Sequence, residues 1–146
     1  MEYSKIENND LEDLSNLFRI VFNSEPWNDS WTEKSSINRI NLQLLNINSV
    51  GFKATSENKI LGFVLGYLTG LPDGTGFFIE DLCVHPKEHN NGIGKALISE
   101  LEKYLTDNNI RLAITTTAKG FDSYQFYINN GFIDNKTTVG LFKIIK

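Results

Sequence analysis

The stretch from Phe77 to Leu97 constrains the fold more than any other. An apolar run, Phe77 to Val84, is interrupted by Glu80-Asp81 and stopped by Pro86. A polar loop, Lys87 to Asn91, follows. Two glycines, Gly92 and Gly94, then open a helix with Ile93, Leu97, Leu101 and Leu105 along one stripe and Ile98 beside it. A second β-rich run, Ile110 to Thr116, comes after the helix. Strand, helix and strand in this order predict a parallel crossover. The first-turn N–H groups of the helix lack intrahelical acceptors, and its dipole makes that end positive. Glycines there remove side chains that would hold an anion away, so the loop suits a phosphate or pyrophosphate.

The remainder supplies an antiparallel frame. Tyr3 to Glu7 reads as a short strand, and Asn9 or Asp10 can cap a helix with Leu11, Leu14, Leu17, Phe18, Val21 and Phe22 at helical spacing. Pro26 ends that pattern. A second helix is expected from after Thr32 to about Asn46, with Ile37, Ile40, Leu44 and Leu45 on one face. Val50 to Thr55 and Ile60 to Thr69 are β-rich runs joined by the turn Ser56-Glu57-Asn58-Lys59, and Pro72 to Gly76 forms a second turn cluster. Phe121 to Asn130 reads as a short helix closed by Gly131. Strands near Phe132–Asp134 and Thr138–Ile145 complete the expectation. The order predicts one α/β (α+β) domain over residues 1–146.

Composition excludes several classes. Net charge is −4, from 14 basic and 18 acidic residues, which argues against a nucleic-acid binder. The imbalance lies in the first 33 residues, where Glu2, Glu7, Asp10, Glu12, Asp13, Glu25, Asp29 and Glu33 face only Lys5 and Arg19. Such an acidic wall is either a solvated face or a surface that attracts a cationic partner. No apolar run approaches the ~20 residues of a membrane span. The start, MEYSKIENND, lacks the layout of a signal peptide. A single cysteine, Cys83, forbids an internal disulfide and fits a reducing compartment. With His85 and His89 it makes too small a set for structural zinc, so no metal is expected. A cytoplasmic monomer or homodimer is the expected form.

Three phosphate-binding motifs compete for the glycine loop. A P-loop needs Gly-x-x-x-x-Gly-Lys-Ser/Thr, but His89 stands in the first glycine slot and Ala96 follows Lys95. A dinucleotide fingerprint needs a third glycine or alanine where Leu97 stands. The third option matches. Leu82-Cys83-Val84-His85-Pro86 followed by His89-Asn90-Asn91-Gly92-Ile93-Gly94 resembles motif A of the GNAT superfamily of acyl-CoA-dependent N-acetyltransferases. His89 takes the place of that motif's leading Arg or Gln. Tyr124 to Phe132 is similar to the family's later Phe-Tyr-x-x-x-Gly-Phe signature, and the element order is also the family's.

The resemblance implies a mixed, mostly antiparallel six- to seven-stranded sheet flanked by about four helices, with a splayed parallel strand pair at its centre. It implies acetyl-CoA as co-substrate, its pantetheine arm paired with the backbone of Leu82 and Val84 around Cys83. Lys87, His89, Asn90, Asn91, Gly92, Ile93, Gly94 and Lys95 would surround the pyrophosphate. By the same resemblance Tyr127 protonates the departing thiolate. The attacking amine must lose a proton, and Glu80 is the preferred base, with Asp81 as competitor. Strict alternation puts Glu80 on the face of Leu82 and Val84, unless a bulge resets it.

Glu25-Pro26-Trp27-Asn28-Asp29-Ser30-Trp31-Thr32 lies between the first two helices, where the family builds one wall of the acceptor site. Its wording is similar to the branch that includes aminoglycoside 6′-N-acetyltransferase-like proteins. Aromatics interleaved with carboxylates suit a cationic amine. Phe22, Glu25, Trp27, Asp29, Trp31, Tyr67 and Glu80 are therefore the expected acceptor-binding residues. A primary amine of a small cationic molecule is the leading acceptor. A non-catalytic acyl-CoA-binding regulator and a peptide or protein N-acetyltransferase are the alternatives.

Overall fold

In a computed structural model that describes residues 1–146, alternating runs of residues 1–116 form one sheet and the first three helices cover it. The chain divides into two units, Met1–Thr116 and Thr117–Lys146. In the first unit, strands β1 (Glu2–Lys5), β2 (Ser49–Ser56), β3 (Lys59–Leu71), β4 (Gly74–Val84) and β5 (Ala113–Thr115) lie in the order β1-β2-β3-β4-β5. The first three pairings are antiparallel and β4–β5 is parallel. The expected crossover is therefore present, carried by α3 (Ile93–Asp107). Glu57 and Asn58 close the β2–β3 hairpin with φ of 50° and 61°. Left-handed backbone at both central residues gives the turn whose twist matches that of the strands.

Helices α1 (Leu11–Phe22) and α2 (Glu33–Leu45) cover one face of the sheet. Leu14, Leu17, Phe18, Val21 and Ile40 form a core there with Phe63, Leu65 and Cys83. Helix α3 covers the other face: a Cβ on Gly62 would lie 3.0 Å from Ile93 and 3.2 Å from Leu97. Asp10 stands at the start of α1, but its side chain does not cap that helix. It accepts from the Glu7 N–H at 2.8 Å and takes the Lys53 ammonium at 2.6 and 2.7 Å, which ties the helix start to β2. Thr32 caps α2, its hydroxyl accepting from the Ser35 N–H at 3.0 Å while the Ser35 hydroxyl accepts from the Thr32 N–H at 2.9 Å. The buried stripe of α2 is Ser36, Ile40 and Gln43. Leu45 is 71% exposed, because five residues beyond Ile40 it has rotated well off the buried face.

The β3–β4 ladder contains the feature that positions the site. Leu65 pairs with Asp81 and Gly66 with Ile79, so Glu80 is an extra residue with no partner of its own, a β-bulge. Asp81 and Cys83, opposite Leu65 and Phe63, face α1 and α2, whereas Ile79 opposite Gly66 faces the other way. Strict alternation fails here for that reason. Glu80 does not share a face with Leu82 and Val84; the bulge turns it toward α2, with its carboxylate 3.9 Å from Arg39.

Five strands form the sheet, fewer than the six to seven expected, and the parallel pair lies at its end rather than its centre. Residues 132–146 form no strand. From Ile133 onward their apolar side chains are exposed, Leu141 at 90% and Phe142 at 93%. Strand preference is a fit to a pleated, half-buried surface, and without a ladder partner it is not realised. β5 is likewise shorter than the run from Ile110 to Thr116.

In the second unit, α4 (Asp122–Asn129) ends as its sequence predicts. Gly131 has φ 87°, its N–H donates to the Ile128 carbonyl at 3.1 Å, and the Phe132 N–H donates to the Tyr127 carbonyl at 3.0 Å. That double closure is the Schellman stop. The rings of Tyr127 and Phe132 meet edge to face across it, with centroids 5.0 Å apart. No helix of the chain is long and apolar enough to cross a membrane.

Candidate active site

Pairing between β4 and β5 covers only Phe77–Ala113, Phe78–Ile114 and Ile79–Thr115. The Thr115 hydroxyl donates to the Ile79 carbonyl at 3.2 Å and the ladder ends there. From Glu80 to Val84 the edge of β4 away from β3 has no ladder partner, so backbone groups of Leu82, Cys83 and Val84 are available for one. The Cys83 side chain takes no part, being buried in the α1/α2 core. Burial pushes its thiol well above the usual range, and Asp81 adds to this while Arg39 opposes it.

Beyond Val84 the chain makes a 3₁₀ turn, Pro86–Glu88, which includes Lys87, and then the exposed loop of His89, Asn90 and Asn91. Asn90 and Gly92 are left-handed, with φ of 64° and 78°. Gly92 is the N-cap of α3, and the first helical bond runs from the Ala96 N–H to the Gly92 carbonyl. The N–H groups of Ile93, Gly94 and Lys95 thus lie in the turn that has no intrahelical acceptors. Ile93 buries its side chain, whereas Lys95 is exposed and adds positive charge. His89 turns back: its Nε2 lies 3.0 Å from the Val84 carbonyl oxygen. A carbonyl can only accept, so Nε2 carries the proton.

The two carboxylates of β4 differ sharply. Asp81 is 5% exposed. It accepts from Arg39 Nε and Nη2 at 3.2 Å each and from Gln43 Nε2 at 2.5 Å. Gln43 presents its amide N–H to that carboxylate, which leaves its own Oε1 buried without a partner. Asp81 therefore has three of a carboxylate's roughly four acceptor sites occupied. Glu80 makes one longer ion pair, and its side chain is 25% exposed. Burial pushes the Glu80 carboxyl above its ordinary range, Arg39 opposes the rise and Asp81 adds to it. Of the pair, Glu80 is the more exposed and the less tightly held.

The aromatic wall is assembled around Phe18. Its ring centroid lies 4.6 Å from that of Phe22 and 4.8 Å from that of Trp31, and Phe22 lies 5.2 Å from Trp27. Asn23 pins the connection by accepting from the Trp31 N–H at 2.8 Å and donating to its carbonyl at 2.9 Å. Asp29 accepts from the Trp31 indole at 3.1 Å, and Glu25, which precedes Pro26 through a cis bond, is exposed. The Arg39 guanidinium carbon lies 5.9 Å from the Phe18 centroid. Through Phe18 and Arg39 the wall is thus contiguous with Glu80 and Asp81. Tyr67 stacks on Phe78 across the β3–β4 ladder, with centroids 5.5 Å apart. Phe18, Arg39 and Gln43 were not among the expected site residues. The available signal was Gln43, a polar residue three positions after Ile40 on the core face of α2. In the second unit Tyr127 is buried on α4 between the rings of Phe126 and Phe132.

A family model described as Acetyltransferase (GNAT) family matches residues 11–132. No curated protein matches the chain by sequence. Solved structures share its fold. An aminoglycoside acetyltransferase from an uncultured soil metagenomic sample, solved with sisomicin, has a TM-score of 0.79 at 22% identity over 99% of this chain and 96% of its own. Aminoglycoside acetyltransferase AAC(6')-Iy, solved with a bisubstrate analogue of CoA and acetylneamine, has a TM-score of 0.76 at 17% identity over 99% and 98%. A ribosomal-protein-alanine N-acetyltransferase from Brucella melitensis biovar Abortus 2308 has a TM-score of 0.79 at 13% identity over 99% and 100%.

Proposed function

The chain belongs to the GNAT acetyltransferase family, and from that premise we propose that it moves an acetyl group from acetyl-CoA directly to a primary amine of a small cationic molecule within a ternary complex. One observation carries the donor assignment: an unpaired β4 edge runs straight into a glycine-capped helix N-terminus. Backbone of Leu82 and Val84 binds an extended amide-bearing arm. The amides of Ile93, Gly94 and Lys95 then meet the pyrophosphate, with Lys87, His89, Asn90 and Asn91 around it. Acetyl-CoA supplies the activated acyl group.

Residues of the chain perform the rest. Glu80 takes the proton of the attacking amine, directly or through a water. A backbone N–H near Val84 opposes the charge developing on the thioester oxygen. Tyr127 returns a proton to the departing thiolate. Trp27, Trp31, Phe22 and Tyr67 offer aromatic surface to the acceptor, and Asp29 and Glu25 offer charge, which favours a cation. Holding donor and amine together lowers the barrier further by several kcal/mol.

Calorimetric titration of the chain with acetyl-CoA, against ATP and NAD as controls, is expected to show micromolar binding of acetyl-CoA alone. A panel of sisomicin, spermidine, lysine and a short peptide, read by release of CoA thiol, then finds the acceptor. Release with the peptide alone would replace the small-molecule acceptor by a protein one. Binding without release on any amine would favour an acyl-CoA-binding regulator. Tyr127→Phe is expected to lower turnover at least tenfold with acetyl-CoA affinity unchanged; full turnover would remove Tyr127 from the mechanism.

A further inference from the structure

We infer that Arg39 is a positioning residue for this reaction: its two-point hold on Asp81 fixes the β4 bulge in the form that keeps Glu80 half-buried and turned toward α2. The inference rests on Glu80 being the base. The bulge leaves Glu80 without a ladder partner, so pairing with β3 does not fix its direction. Its neighbour Asp81 is fixed instead by three hydrogen bonds from Arg39 and Gln43, one helical turn apart on α2. Arg39 is in turn held against the Phe18 ring that carries Phe22 and Trp31. One guanidinium therefore ties the base-bearing bulge to the acceptor wall. Stability alone is a poor reason for such a group, because an ion pair whose arginine is 37% exposed is screened by water and contributes little. A planar two-point fork that sets the geometry of its partner is what arginine provides and lysine does not.

The charged groups facing Glu80 are Arg39 from α2 and Asp81 from its own strand. Their signs make the test decisive. If Arg39 only neutralised charge, removing it would raise the Glu80 titration midpoint. If it holds the bulge, removing it exposes Glu80, and loss of burial lowers the midpoint toward that of an ordinary glutamate.

The experiment is a carboxyl-carbon NMR titration of Glu80 in the full chain, as wild type, Arg39→Met and Arg39→Lys. The midpoint is expected to fall in Arg39→Lys, which keeps the cation, and to lie higher in Arg39→Met, which also loses the charge that pulls it down. Arg39→Lys keeps the cation, folds without leaving Asp81 uncompensated, and loses only the fork. An unchanged or raised midpoint in Arg39→Lys overturns the inference. With the fastest amine of the panel, Arg39→Lys is also expected to lose at least tenfold in kcat at unchanged acetyl-CoA affinity. In a Glu80→Gln background it should lose nothing more, since it acts through Glu80. Losses that multiply would mean a general structural effect and overturn the assignment. Full turnover in Glu80→Gln alone would sink the base assignment instead, while the acceptor-free titration still reports whether Arg39 holds the bulge.

Discussion

Glu80→Gln is expected to cut turnover by about a hundredfold, within the range that a positioned general base contributes. Acetyl-CoA affinity should stay at the wild-type value, because the donor is assigned to backbone of β4 and the start of α3 rather than to this side chain. The pH profile carries the sharper test. Burial holds the Glu80 carboxyl above its ordinary range, Arg39 pulls it down and Asp81 pushes it up. A base must be ionised to act, so the wild-type rate is full above that raised midpoint and falls as the pH drops through it. The limb should therefore lie above the titration of an ordinary glutamate, and it should vanish in Glu80→Gln. An identical limb in both proteins would place the base elsewhere. Asp81 is a poor substitute, since it is 5% exposed and its carboxylate is held by three hydrogen bonds from Arg39 and Gln43.

The pieces legible in the sequence are those whose signals are local. Thr32 before α2, the Glu57-Asn58 turn, Gly92 before α3 and Gly131 after α4 each carry their own stereochemistry, and each element begins or ends where they stand. The glycine loop and the crossover followed from one continuous stretch of chain. The bulge did not, because it is a relation between two strands: whether Asp81 or Glu80 opposes Leu65 is decided by the register of β3 against β4. Nor did Arg39, which lies 42 positions from its partner Asp81 and sits beside the apolar stripe of α2 in the helical period. The run from Thr138 to Ile145 misled for the complementary reason, since its composition suits a strand but strand formation needs a partner that the run itself does not specify.

The same register makes the largest stability prediction. At the bulge the two strands approach so closely that a Cβ on Gly66 would lie 2.0 Å from the Phe78 carbonyl oxygen and 2.9 Å from two atoms of the Phe77 ring. The carbonyl belongs to the backbone of a central ladder and cannot swing aside like a side-chain tip. Gly66→Ala must therefore shift the strand itself, at a cost of about 3 kcal/mol or more and a loss on the order of 10 °C in Tm. Gly70 lies on the same strand with no atom within 4 Å of its missing Cβ. Gly70→Ala is thus the control, and it should melt with the wild type or slightly above it. Thermal denaturation of the two variants side by side settles the matter: equal melting would mean that β3 and β4 do not pass this closely. Because Gly66 pairs with Ile79, the residue before the bulge, the strand shift should also reach Glu80. Folded Gly66→Ala should accordingly lose turnover well below its melting temperature, whereas Gly70→Ala should keep it.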